Sequence, residues 1–104
     1  MEAAPATHQA IVTRVLEGTG TASRAERHAA FNNALVVEPL RGLISKVAER
    51  PIQITDDDFT AVKESGLTED QIFELVICAA VGQATRQYES ALEALAAATT
   101  DRGP

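Results

Sequence analysis

Apolar positions recur at spacings of three and four residues along most of the chain, the pattern of amphipathic helices. Ile11, Val12, Val15 and Leu16 mark a first helix over about 7–17, which the loop Gly18-Thr19-Gly20-Thr21 stops. Ser23-Arg24-Ala25-Glu26 is a capping box and predicts a second helix from Arg24 to about Leu35. Pro39 suits the first turn of a third, whose stripe is Leu40, Leu43, Ile44 and Val47. Arg50-Pro51 ends it, because the residue before proline is pushed out of the helical region, and 51–54 reads as an extended linker. Thr55 caps a short fourth helix through Phe59, Val62 and Lys63, and Gly66 is placed to close it in a left-handed C-cap. A second capping box, Thr68-Glu69-Asp70-Gln71, opens the last helix. No proline follows before Pro104, so this helix can run to about Ala97, near 40 Å at 1.5 Å per residue. Gly82 is its weak point, costing about 1 kcal/mol relative to alanine. Residues 1–6 and 99–104 are expected to fray.

Residues 75–81 of the long helix, Leu-Val-Ile-Cys-Ala-Ala-Val, are apolar all round, which predicts burial on every side. Four short helices could barely wrap such a segment, so a second subunit is expected over one face. The small residues Ala79, Ala80, Gly82 and Ala84 would let another helix approach closely. Beyond Gly82 the pattern turns amphipathic: Gln83, Arg86, Gln87 and Glu89 interleave with Ala84, Tyr88, Ala91, Leu92 and Leu95. Arg86 and Glu89 are spaced to pair, an exposed contact worth at most about 1 kcal/mol.

Composition adds to this reading. The 104 residues allow one domain, an all-α bundle of about five helices spanning 1–104. A chain of this size buries only about two thirds of its unfolded surface, a deficit that self-association remedies. Aromatics are few and alanine abundant, which favours close-packed helices. The net charge of −6 argues against nucleic acid and anionic membranes as partners. The single cysteine, Cys78, permits no internal disulfide and no thiol pair for zinc. Residues 1–8 lack the basic and apolar regions of a signal peptide, and seven apolar residues cannot span a bilayer, which needs about twenty. These features predict a cytoplasmic protein.

Candidate chemistry is sparse. Cys78 has Glu74 one turn before it and Gln71 a further turn back, so a carboxylate could serve a thiol as proton acceptor. The apolar surroundings favour an inert core thiol instead. Tyr88 reads as a half-buried core residue. His8 and His28 are isolated, without H-x-x-H spacing. Asp56, Asp57 and Asp58 lack the alternation, glycine and closing glutamate of a calcium loop, and complement the helix dipole instead. No phosphate loop or nucleophile elbow is present. Neither a metal nor a cofactor is expected.

The stretch "ITDDDFTAVKESGLTEDQIFELVICAAVGQATRQYESALEAL" resembles the carboxymuconolactone decarboxylase and alkylhydroperoxidase-D-like superfamily. The likeness lies in a threonine-capped acidic turn, a short helix, Gly-Leu-Thr-Glu-Asp-x-Ile, and a long alanine-rich helix with an arginine near its middle. It covers somewhat over half the chain. The resemblance implies an all-α fold assembling into dimers, trimers or hexamers through the long helices. The family's redox members use a Cys-x-x-Cys pair beside a histidine and a glutamate; this chain has neither that pair nor a histidine after position 28. The expected function is therefore a non-redox, oligomeric accessory or small-molecule-binding helical protein. Cofactor-independent acid/base catalysis on a small carbonyl or lactone is the alternative, with Glu74, Cys78, Arg86 and Tyr88 as the candidate groups and Arg86 binding a carboxylate. A third reading is a helical protein-interaction module.

Overall fold

The computed structural model describes residues 6–101, and they are all-helical. In chain order the elements are α1 (Ala6–Glu17), α2 (Arg24–Phe31), α3 (Leu40–Glu49), a 3-10 turn (Pro51–Gln53), α4 (Asp56–Glu64) and α5 (Glu69–Asp101). Residues 1–5, part of the segment expected to fray, and 102–104 lie outside the described residues.

The helix starts follow from local chemistry. Ser23 and Glu26 form a reciprocal capping box on α2. Thr68 and Gln71 do the same for α5. On α4 the Asp58 carboxylate accepts from the Thr55 N–H at 2.8 Å and also binds Lys46 of α3, tying the two helices together. Pro39, after a cis Glu38–Pro39 bond, stands one residue ahead of α3, at its N-cap position and without a side-chain cap. Gly66 takes φ +114° just past α4, the left-handed conformation that its placement predicts.

Three boundaries depart from expectation. α2 stops at Phe31 rather than near Leu35, because Asn33 adopts φ +52° and the N–H groups of Asn33 and Ala34 turn back to Ala30 and Ala29. Residues 51–53 are not extended: Gln53 and Ile54 donate to Arg50 and Pro51, closing a 3-10 turn. α5 continues past Ala97 through Thr99 and Thr100, whose hydroxyls donate to the carbonyls of Leu95 and Ala96.

α2 and α3 lie across the first half of α5, with α4 against α3 and α5. α1 runs antiparallel along α5, since Val15 meets Cys78 and His8 meets Thr85. The core holds Leu43, Ile44, Val62, Leu75 and Cys78. The all-round burial expected of 75–81 is not met within one chain: Leu75, Cys78 and Ala79 are buried, Val76, Ile77 and Val81 half-buried, and Ala80 exposed. The small residues divide as well. Ala79 and Gly82 are buried inside the chain, Gly82 directly against α2, while Ala80 and Ala84 remain open.

α5 is 33 residues long, about 50 Å, and outreaches the bundle. The radius of gyration is 16.1 Å, against about 13 Å for a compact chain of this length. Among the described residues no helix is long and apolar enough to cross a membrane.

Candidate functional site on the long helix

All four candidate residues lie on α5. The Glu74 carboxylate accepts from the Thr21 N–H at 2.9 and 3.0 Å, from the Ala22 N–H at 3.1 Å and from the Thr21 hydroxyl. Gly20 makes room for this clamp, because a Cβ there would sit 1.9 Å from Glu74 Oε1. The Thr21 hydroxyl, the two backbone N–H groups and the charge of Arg27 together outweigh partial burial and hold the carboxyl below its ordinary range. A carboxylate so saturated is anchored, and is a poor proton acceptor at neutral pH.

Cys78 is buried and its thiol faces the Val15 carbonyl at 3.3 Å. Burial pushes the thiol up, the Glu74 charge adds to that, and Arg27 only partly opposes it. The group stays protonated and unreactive at neutral pH.

Arg86 reaches α2. Its Nη1 donates to the Phe31 carbonyl at 2.6 Å and its Nη2 to Gln83 Oε1 at 3.0 Å. A cation on the last carbonyl of α2 complements the helix dipole. The pairing with Glu89 is not made. Tyr88 is partly exposed, its ring 5.8 Å from that of His8 and tilted by 33°. His8 Nε2 is 2.9 Å from the Thr85 hydroxyl, so this edge docks the start of α1. His28 pairs with Glu17 at 3.3 Å.

The four groups do not converge. Glu74 and Cys78 are one turn apart, but Arg86 lies about 18 Å along the axis from Glu74 and about 12 Å from Cys78. Glu74 lines one cleft, between α1, α2 and α5, whereas Arg86 and Tyr88 line neither that cleft nor a second one. The second cleft, of about 550 Å³, is an apolar groove between α4 and α5 with Phe59, Ile72, Phe73 and Val76 in its walls. Among the described residues no three His, Cys, Asp or Glu side chains are grouped to hold a metal ion.

Two further features lie outside the four candidate residues. Arg27 is only 6% exposed, and its Nη1 donates to the carbonyls of Gly18 (2.6 Å) and Val15 (3.4 Å) at the end of α1. Its signal is positional: it stands three residues before Ala30 and four before Phe31, on the inner face of α2. The other feature is the far half of α5. Val81, Thr85, Tyr88, Leu92, Leu95 and Thr99 are spaced four and three residues alternately, the rhythm of a coiled-coil seam. α1 covers the seam at Thr85 and Tyr88. Beyond Tyr88, among the described residues, no hydrogen bond or ion pair joins α5 to another element, and Leu95 is 57% exposed.

No known protein family, characterised protein or solved structure matches the chain.

Proposed function

We propose that the protein is an oligomeric helical accessory module that assembles through α5, with no catalytic role for the groups on that helix. The observation that carries this reading is the projecting seam beyond Tyr88, at Leu92 and Leu95. Helices in proteins draw most of their stability from packing an amphipathic face, so residues 87–101 gain stability when their apolar edge is covered.

The surface supports a second copy as the cover. The accessible area is 6879 Å², against about 5,600 Å² for a compact monomer of 11.0 kDa. Between Gln87 and Thr100 the only charges are Glu89 and Glu93, and both stand off the seam. An antiparallel pair with its two-fold axis near residues 93 and 94 sets Leu92 against the partner's Leu95. It keeps Glu89 clear of a like charge, opposite the partner's Ala98. Such an isologous contact closes after two subunits. The resemblance to a superfamily that assembles through its long helices points the same way.

The double substitution Leu92→Glu with Leu95→Glu tests the assembly. Sedimentation at micromolar concentration is expected to show the native chain as a dimer or larger and the double variant as a monomer. The variant's bundle, judged by its near-ultraviolet spectrum, should persist. A variant that sediments with the native mass would refute the seam.

A further inference from the structure

We infer that the cleft between α1, α2 and α5 is a binding site for a small amphipathic carboxylic acid. The cleft encloses about 370 Å³, within the range of small-molecule sites. Two of its lining residues are the arginines Arg14 and Arg27. Val15, Phe73 and Ile77 supply an apolar wall, and Phe73 is 65% exposed.

The guanidinium of Arg27 is half used. Its Nη1 serves the carbonyls of Gly18 and Val15, but its buried Nε–H has no partner. Nη2 donates to no described residue either. Nε and Nη2 form the edge of a guanidinium that takes a carboxylate through two parallel hydrogen bonds. A buried donor left unmatched is costly, so a ligand toward which Arg27 turns this edge gains what the free protein lacks.

Charge favours an anion as well. Within the cleft the one carboxylate, Glu74, already accepts from Thr21 and Ala22. Arg14 has no carboxylate within ion-pair distance among the described residues. Two arginines against one committed glutamate leave the cleft positive on a chain of net charge −6. The expected ligand sets its carboxylate on Arg27, is drawn in by Arg14, and lays an aromatic or branched aliphatic body along Phe73 and Ile77.

The probe is phenylacetate, with uncharged phenylacetamide as its control, titrated into the full chain by amide and arginine-side-chain NMR. Phenylacetate is expected to saturate in the millimolar range, shifting Gly18 and Thr19 and moving the Arg27 Nε–H resonance downfield. Arg14→Gln, at an exposed site that leaves the fold intact, should weaken binding about tenfold, the loss of one moderate charge contact. Arg27→Lys, which keeps the charge but removes the fork, should abolish the saturable shifts. Equal binding of phenylacetamide, unchanged affinity in Arg14→Gln, or no saturation with phenylacetate would overturn the assignment.

Discussion

Gly82→Ala is expected to destabilise the protein by about 3 kcal/mol, although alanine is the better helix former. On helix propensity alone the change should stabilise α5 by about 1 kcal/mol. The crossing with α2 reverses the sign. A Cβ at position 82 would lie 1.9 Å from the Phe31 carbonyl oxygen and 2.7 Å from its carbon. Both are backbone atoms at the end of α2, so no side-chain rotation relieves the overlap. The same carbonyl accepts from Arg86 at 2.6 Å, so moving α2 away also breaks that bond. Urea unfolding of the variant measures the effect. A midpoint equal to or above that of the native chain would show that α2 does not cross α5 at this glycine.

Glu74→Gln ranks second, with an expected loss of about 2 kcal/mol at neutral pH, the scale of hydrogen bonds to a charged group. The amide keeps one acceptor oxygen but turns an N–H₂ toward the N–H groups of Thr21 and Ala22, and it removes the anion near buried Arg27. The pH dependence has a definite sign. The folded carboxyl titrates below the unfolded one, chiefly through the Thr21 hydroxyl and the backbone N–H groups. Its contribution is therefore complete above the unfolded value, about pH 4.3, and is lost as pH falls through the lower folded value. The stability gap between native chain and variant should thus be constant from neutrality to about pH 5 and narrow below about pH 4. A gap of unchanged size at acid pH would mean that the clamp does not depend on the charge. Asp58 and Glu69, also held low by hydrogen bonds from Thr55 and Lys46 and from Lys63 respectively, add to the acid lability of both proteins.

The helix starts were legible because their causes span three residues. Ser23 with Glu26, Thr55 with Asp58, and Thr68 with Gln71 each join a side chain to backbone within one turn. The end of α2 was harder to read. Leu35 prolongs the apolar rhythm, whereas Asn32-Asn33 offers a left-handed stop, and the two signals compete. The contacts of the candidate residues were not legible, because their partners are distant in sequence. Glu74 binds a loop 53 residues away, and Arg86 caps a carbonyl 55 residues away. Helical spacing assigns Ala79 and Gly82 equally well to a second subunit or to α2, and only the tertiary path of α2 decides between them. The exposed heptad past Tyr88 was readable in principle, since its alternating steps of four and three are written in the chain.

Assembly through α5 would cover the seam that one chain leaves open beyond Tyr88. The most direct test is the mass of the native protein by light scattering at tens of micromolar. Assembly through α5 predicts at least twice the 11.0 kDa of one chain. A particle of one chain's mass, with the helix of residues 87–101 intact by NMR, would contradict it.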